Sequence, residues 1–132
     1  MNEPKVRAEV RKAFERYEAA LRSHDVEALN GFFWDSASAV RFGLAEQGYG
    51  ARSIRAQRRG AKPIPPGRRL RHTVIATFGE DAASVCTEFT SRGSSLVGRQ
   101  SQVWIRMGGL WRIVAAHVSI VRGTQPLPAR RG

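Results

Sequence analysis

The sequence has one cysteine, no long apolar run and half as many acidic as basic residues. Because Cys86 has no second cysteine to pair with, an internal disulfide and a multi-cysteine zinc site are excluded. Without about 18 consecutive apolar residues, the chain has no candidate for a membrane-spanning helix. The charged N-terminus, Met1–Lys5, lacks the apolar segment of a secretory signal. We therefore expect a protein of the reducing cytoplasm that does not enter a membrane.

Fingerprints of common catalytic sites are missing as well. The chain contains no glycine-rich phosphate loop, no Gly-x-Ser-x-Gly nucleophile elbow and no dinucleotide fingerprint. Its three histidines, His24, His72 and His117, lie far apart and lack the spacing of metal ligands. The sequence therefore predicts no metal and no cofactor, and we interpret Cys86 as a small core residue.

What the chain has in excess is arginine. Lysine and arginine total 22 residues, of which 19 are arginine, against 11 acidic residues, so the net charge is +11. Residues 47–79 contain no acid and eight basic side chains: Arg52, Arg55, Arg58, Arg59, Lys62, Arg68, Arg69 and Arg71. Such a positive field attracts anions, but only Tyr49 and Phe78 could stack on bases, so nucleic acid is disfavoured. A small anionic substrate is the preferred partner, and a solvated arginine-rich surface is the alternative.

Hydrophobic periodicity predicts three helices in the first half of the chain. In the first helix an apolar residue recurs every three or four positions: Val6, Val10, Phe14, Tyr17 and Leu21. Asp25 is a favoured N-cap residue, and we predict that it caps a short second helix. Gly50 precedes a third, arginine-rich helix over residues 51–59.

Strand and turn signals predict six strands, at residues 37–42, 46–50, 69–78, 82–92, 99–107 and 110–121. The proline-rich segment Lys62–Gly67 must be a loop between the helices and the last four strands. Helices followed by a strand meander predict an α+β fold, with three helices on one face of a curved antiparallel sheet. We assign residues 1–122 to this single domain and residues 123–132 to a disordered basic tail.

A Gly108-Gly109 turn sets the predicted register of the last two strands. Counted from that turn, three pairs of residues face each other: Trp104 with Ile113, Gln102 with Ala115, and Gln100 with His117. The face that carries Gln100, Gln102, Trp104, Ile113 and His117 is mixed polar and aromatic, so we predict that it forms a dimer interface. The opposite face, which includes Ser101, is more apolar and is predicted to pack against the helices.

Three polar residues of the predicted sheet are candidates for substrate binding. Counted from the turn at Gly79–Asp81, His72 faces Glu88. This pair is either a polar wall of the site or an ordinary cross-strand ion pair. Ser101, on the predicted helix-facing side, either bonds a substrate oxygen or is a strand serine satisfied within the protein.

Tyr17 and Arg41 are polar residues in apolar surroundings. Tyr17 lies on the apolar stripe of the first helix, where its hydroxyl needs a hydrogen-bond partner once buried. Arg41 interrupts the apolar stretch Ala39–Phe42, so it either faces outwards or is buried against an anion. A guanidinium can hold a carboxylate by two parallel hydrogen bonds.

Seven segments carry a family resemblance that runs from about Tyr17 to Val121: Phe33–Asp35, Val40–Gly43, Glu46–Gly50, Thr73–Gly79, Ser84–Phe89, Gly98–Trp104 and Trp111–Ser119. In the same order they resemble the AtzH-like (oxalurate-catabolism HpxZ-like) family of the SnoaL-like, nuclear transport factor 2-like superfamily. The resemblance implies a cone-shaped sheet wrapped around the helices, a pocket between them, and a homodimer formed through the outer sheet face. The family typically has an aromatic residue where this chain has Gln57, near the mouth of the expected pocket.

The resemblance also implies a reaction. The characterised member of the family removes a carboxylate from 1,3-dicarboxyurea during cyanuric acid breakdown, and a tyrosine and an arginine are its proposed catalytic pair. Tyr17 and Arg41 match those positions, so we expect Arg41 to anchor a substrate carboxylate and Tyr17 to act as the general acid. The chain is then a decarboxylase or hydrolase of a small carboxylated urea or amide. The alternative is a non-catalytic ligand-binding or accessory subunit associated with an amidase.

Overall fold

The structure is a computed structural model, and it describes residues 1–122. Three helices and six strands follow one another in that part of the chain. They are α1 (Pro4–Arg22), α2 (Val26–Phe32), β1 (Val40–Phe42), β2 (Gln47–Tyr49), α3 (Ala51–Gly60), β3 (Arg69–Phe78), β4 (Ala82–Thr90), β5 (Leu96–Met107) and β6 (Leu110–Arg122). The basic tail predicted for residues 123–132 lies outside the described residues.

The six strands form one mixed sheet in the order β2-β1-β6-β5-β4-β3. Neighbouring strands are antiparallel except β1 and β6, which run parallel. Gly108 and Gly109 both have positive φ angles, 54° and 79°, which a two-residue hairpin turn between β5 and β6 requires. The helices pack on one face of this open sheet, which confirms the predicted α+β cone.

The helices form where their apolar stripes and caps predict them. The stripe of α1 is buried, with each of its residues at most 7% exposed: Val6, Val10, Phe14, Tyr17 and Leu21. Pro4 occupies the first turn of α1, where its missing N–H costs no hydrogen bond. Asp25 caps α2, because its Oδ1 accepts a hydrogen bond from the Ala28 N–H at 3.1 Å. The helices share one core with Trp104 and Ile113 of the sheet.

Arg106 of β5 connects the sheet to α1. Its guanidinium donates hydrogen bonds to Glu9 of α1 and to Asp81 of the β3–β4 turn, both at 2.9 Å. It also lies over the Trp111 ring, 5.6 Å from the centroid. The hydrogen bond to Asp81 is the main cause that raises the pKa of Arg106 above its usual value.

The faces of β5 are the reverse of the prediction. Gln100, Gln102 and Trp104 are buried towards the helices, and Ser101 lies on the outer face. The glutamines can be buried because their amides are hydrogen bonded. The Gln102 Oε1 accepts from the Trp104 indole at 3.0 Å, and the Gln100 Nε2 donates to Glu18 at 3.2 Å. The assignment of Gln100, Gln102 and Trp104 to an outer dimer interface is therefore wrong.

A β-bulge in β6 changes the register that the turn predicts. Trp104 pairs with Ile113 as predicted, but the next pair joins Val103 to Ala115. Val114 therefore has no partner across the strand pair, and the side chains that follow it change face. The turn alone gives no sign of this extra residue, because the sequence pattern around it is continuous.

The bulge divides the predicted interface residues of β6 between the two faces. Ile113 is fully buried against the helices, so its assignment to the outer interface is wrong. His117 is exposed on the outer face, where its ring meets Phe42 edge-on with 5.8 Å between centroids. Across the strand pair His117 lies opposite Ser101, not opposite Gln100 as predicted.

A second bulge, in β3, changes the partner of Glu88. Val74 pairs with Cys86 as the turn predicts, but Arg71 occupies the place opposite Glu88 that was predicted for His72. His72 has a positive φ of 53° within the bulge. The Arg71 Nε donates to the Glu88 Oε1 at 2.8 Å, so the cross-strand ion pair exists with a different cation.

Candidate functional site

A cavity of about 330 Å³ lies between the helix-facing side of the sheet and the loops that follow α3 and β4. Residues of α1, β1, α3, β5 and β6 line it, and Ile64 and Pro65 of the proline-rich loop cover one side. Its volume is at the lower end of the range for small-molecule sites. The loop after β4 is joined to the proline-rich loop by a hydrogen bond from the Arg92 N–H to the Pro66 carbonyl at 3.1 Å.

Tyr17 presents its hydroxyl to this cavity from α1. The ring is 4% exposed and packs edge-on against Phe32 and Trp104, with centroids 5.7 and 6.3 Å away. The phenolic oxygen accepts a hydrogen bond from the Arg58 Nη2 at 3.3 Å. Within residues 1–122 the hydroxyl makes no other hydrogen bond, so its proton is free to be donated to a ligand.

Arg41 lies on the same cavity wall, on β1 between β2 and β6. The sequence allowed Arg41 either to face outwards or to be buried against an anion, and in the structure it faces the cavity. The charge is balanced within the protein, because the Arg41 Nη1 forms an ion pair with the Glu46 Oε1 at 2.8 Å. The side chain of Arg41 is 17% exposed and that of Glu46 40%, so this pair lies where the cavity meets solvent.

Arg58 of α3 is a cavity residue that the sequence analysis missed. It is buried, at 8% exposed, and lies on the same helical stripe as the buried Ala51 and Ile54. The spacing of these three residues, three and then four positions, is the signal that could have identified it. An arginine on the buried stripe of a helix needs a partner inside the protein or a ligand.

A buried network of Glu18, Arg68 and Gln100 forms another part of the site. The Arg68 Nε and Nη2 donate to the two Glu18 carboxylate oxygens at 2.9 and 3.1 Å. Arg68 also donates to the Gln100 Oε1 at 3.2 Å and lies 4.1 Å above the centre of the Phe89 ring. Arg68, Phe89 and Gln100 all line the cavity, so this network fixes the shape of its wall. No local sequence pattern indicates this network, because its members are far apart in the chain.

All the charged residues that line the cavity are cations: Arg41, Arg58, Lys62, Arg68 and Arg92. Two of these charges are balanced by carboxylates that do not line the cavity: Arg41 by Glu46 at the solvent boundary, and Arg68 by the buried Glu18. The remaining positive charge makes the cavity attractive to a small anion. The sequence predicted such a ligand from the arginine content alone.

The structure does not bring the three predicted substrate-binding residues of the sheet to the cavity. Ser101 is on the outer face of β5, Glu88 is paired with Arg71, and His72 is exposed at the β3 bulge. The assignment of these three residues to the substrate site is therefore wrong for this cavity. The reversed faces of β5 put Ser101 on the outer side, and the β3 bulge replaces His72 by Arg71 opposite Glu88. Cys86 is exposed as well, so its interpretation as a core residue is also wrong.

Gln57 does not line the cavity either. Its Nε2 donates to the Gln47 carbonyl at 2.9 Å and so connects α3 to β2. Residues 1–122 hold no cluster of three or more His, Cys, Asp or Glu side chains that could bind a metal ion. None of the helices described in that range has the length and apolar character needed to cross a membrane.

The helices packed on one face of the six-stranded sheet give the chain the NTF2-like fold. A structure with this fold is the NTF2-like protein of unknown function from Pseudomonas putida, which is 20% identical. The match covers 89% of this chain and 87% of that one, with a TM-score of 0.75. A putative ketosteroid isomerase from Parabacteroides distasonis, 18% identical, has the same fold over 82% of this chain and 84% of its own, with a TM-score of 0.69.

Sequence similarity then gives the family. The model of the AtzH-like family matches residues 1–124, and the chain therefore belongs to the AtzH-like family. A cystatin-like fold protein from Burkholderia xenovorans is 48% identical over 91% of this chain and 95% of its own, with a TM-score of 0.88. A protein of unknown function from Pectobacterium atrosepticum is 48% identical over 91% and 94%, also with a TM-score of 0.88. No functionally curated protein shows significant similarity to this chain.

Proposed function

We propose that this protein is a cofactor-free enzyme that removes a carboxylate from a small carboxylated urea or amide in nitrogen-compound catabolism. The observation that carries the proposal is the Tyr17 hydroxyl, which faces a cavity whose charged lining residues are all cations. A proton donor beside cations suits a reaction in which an anionic substrate gains a proton. The resemblance to 1,3-dicarboxyurea decarboxylase, in which a tyrosine and an arginine act together, agrees with this chemistry.

The reaction needs one proton and one anchored carboxylate. A wall arginine holds the N-carboxylate of the substrate by charge-assisted hydrogen bonds, which fixes the nitrogen next to the Tyr17 hydroxyl. The bond between the carboxylate carbon and the nitrogen breaks, and its electron pair goes to the nitrogen. The Tyr17 proton joins that nitrogen, and carbon dioxide leaves. Tyr17 then regains a proton from water, and the neighbouring cations stabilise the phenolate formed in between.

The open cavity favours a small ligand over a purely structural accessory role. An accessory subunit without a ligand would be expected to fill this space with apolar side chains, because packed interiors leave few voids. Instead, about 330 Å³ remains beside a buried phenol and a buried guanidinium. A ligand-binding subunit without catalysis is the alternative that the experiment must separate.

The test is an activity screen with carboxylated ureas, carboxylated amides and oxalurate-like acids, in which the released carbon dioxide and the urea or amide that remains are measured. Removing the general acid by Tyr17→Phe is expected to lower kcat by about 100-fold or more. The matched control is Tyr49→Phe, because Tyr49 is exposed and lies outside the cavity. A folded Tyr17→Phe protein with full turnover would reject the general acid role. Binding without turnover by the wild type would favour the ligand-binding subunit.

The proposal includes a homodimer formed through the outer face of the sheet. That face exposes Val74 and Val103 together with the aromatic group of Phe42, Tyr49 and His117. Apolar and aromatic side chains on an exposed sheet face are typical of an interface between subunits. A cytoplasmic location remains part of the proposal and agrees with an unpaired, exposed Cys86.

A further inference from the structure

Arg58 is buried without a carboxylate to balance its charge. Its side chain is on the buried stripe of α3 and is part of the cavity wall. Within residues 1–122 no carboxylate lies within ion-pair distance of its guanidinium. Arg41 and Arg68, which line the same cavity, are both paired, with Glu46 and Glu18. Arg58 therefore differs from the other arginines that contact the interior.

Burial of an unpaired charge is costly, and the surroundings of Arg58 increase the cost. A guanidinium carries five N–H groups, and among the described residues the only side-chain acceptor for Arg58 is the Tyr17 oxygen. Lys62 and Arg92 are exposed cations that line the same cavity, so the lining around Arg58 has an excess of positive charge. An anionic ligand bound in the cavity would supply the missing negative charge.

We infer that Arg58 is the residue that binds the reacting carboxylate of the ligand and, by its hydrogen bond to Tyr17, orients the proton-donating hydroxyl. This assignment rests on the proposed function in taking a small carboxylate as the ligand. It moves the anchoring role from Arg41, where the family resemblance placed it, to a residue of α3.

The geometry gives a reason for the pairing of the two residues. The Tyr17 oxygen accepts from the Arg58 Nη2, so one oxygen lone pair is occupied and the hydroxyl proton points elsewhere. A carboxylate held by the remaining N–H groups of Arg58 lies beside that hydroxyl, which places the attached nitrogen next to the proton. The Arg41–Glu46 pair, closer to solvent, contributes N–H donors at the mouth of the cavity with its charge already balanced.

The experiment measures binding of oxalurate and of its neutral amide, oxaluramide, by calorimetry at constant ionic strength. Oxalurate carries its carboxylate on carbon, so it serves as a small carboxylate that cannot lose carbon dioxide from nitrogen. Arg58→Met is expected to weaken oxalurate binding by about 100-fold, since charge-assisted hydrogen bonds are lost. Arg59→Met is the matched control, because Arg59 is the exposed neighbour on the same helix, and it is expected to leave the affinity unchanged. Oxaluramide is expected to bind weakly, and equally so to the wild type and to Arg58→Met.

Melting temperatures of the ligand-free proteins separate binding from a structural role. Removal of an unpaired buried charge should leave the Tm of Arg58→Met equal to or above that of the wild type. Oxalurate should raise the Tm of the wild type and of Arg59→Met but not that of Arg58→Met. If Arg58→Met does not fold, Arg58→Lys keeps the charge without the two-donor geometry and is expected to bind oxalurate about tenfold more weakly than the wild type.

Oxalurate affinity that is the same in the wild type, Arg58→Met and Arg58→Lys would overturn the assignment. A wild type that binds oxalurate no better than oxaluramide would overturn it as well. The readout does not depend on turnover. If binding depends on Arg58 but the wild type converts no substrate, the proposed enzyme activity and the orienting role of Arg58 fail, and its role in binding the carboxylate stands.

Discussion

Glu18 is a buried acid in a strongly basic protein, and its charge is balanced by Arg68. The two side chains are 3% and 6% exposed, and both carboxylate oxygens accept hydrogen bonds from the guanidinium. Gln100 completes the group by donating to Glu18 and accepting from Arg68. A buried ion pair with its hydrogen bonds satisfied is tolerated, but loss of one partner leaves the other charge unbalanced. The wall of the cavity therefore depends on an acid that does not line it.

The substitution Glu18→Gln is expected to lower the free energy of unfolding by about 3 kcal/mol, because it leaves Arg68 buried without a counter-charge. Urea unfolding followed by tryptophan fluorescence measures the change. Glu15→Gln on the exposed side of α1 is the control and is expected to change stability by less than about 0.5 kcal/mol. Equal effects of the two substitutions would contradict the structural role of the Glu18–Arg68 pair.

Among single residues, the sequence indicated those whose chemistry conflicts with their local pattern. Tyr17 and Arg41 stood out because each is polar within an apolar stretch, and both line the cavity. Arg58 carries a similar signal on α3, but it was hidden among seven other basic residues between positions 47 and 79. Its burial and its bond to Tyr17 arise from contact between α1 and α3, which no local pattern specifies.

At the scale of elements, a stack of three groups joins β5, β4 and the chain before β3. The Phe89 ring lies directly over Gly98, so a Cβ at position 98 would come within 2.0 Å of the ring. The Arg68 guanidinium lies over the same ring, 4.1 Å from its centroid. Glycine is required at position 98 because the ring occupies the space that any side chain would fill.

Gly98→Ala is therefore expected to displace Phe89 and to destabilise the protein by about 1–3 kcal/mol through overpacking. Since Phe89 and Arg68 line the cavity, the affinity for oxalurate should fall as well. The control is Gly31→Ala in α2, where an added Cβ meets nothing within 4 Å. This control is expected to stabilise the protein by about 0.5–1 kcal/mol, because alanine favours the helix. Thermal unfolding compares the two, and a stable Gly98→Ala protein with unchanged affinity contradicts the stack.

The bounds of the strands were easier to predict than the pairing of residues across neighbouring strands. The bounds of β3 were predicted as observed, because charged and glycine-containing turns flank a continuous strand pattern. The faces of β5 were predicted in reverse, because burial of Gln100 and Gln102 depends on partners elsewhere, Glu18 and the Trp104 indole. The bulges of β3 and β6 move residues across faces without any break in the sequence pattern.

On the scale of the whole molecule, the two faces of the sheet differ in what they contact. The inner face packs on the helices and closes the cavity, while the outer face exposes apolar residues to solvent. Val103 lies near the middle of that outer face, beside Ser101, Ala115 and His117. A second copy of the chain would cover these side chains, which is the basis of the proposed homodimer.

The substitution Val103→Asp is expected to convert the proposed homodimer to monomers, because it introduces a charge into an apolar contact. Light scattering coupled to size-exclusion chromatography measures the molar mass. Leu110→Asp is the control, since Leu110 is similarly exposed but lies at the tip of the β5–β6 hairpin. A wild type of monomer mass would contradict the interface, and so would a Val103→Asp protein of unchanged mass.

The sequence by itself determined the order of helices and strands, the α+β class and the excess of positive charge. These properties follow from residue periodicity, turn chemistry and net charge, all of which act locally or as sums over the chain. Only the tertiary structure decided which arginine is buried beside Tyr17 and which faces of β5 and β6 look inward. Those outcomes depend on contacts between residues up to 82 positions apart, such as Glu18 and Gln100, and on bulges that shift a register by one residue.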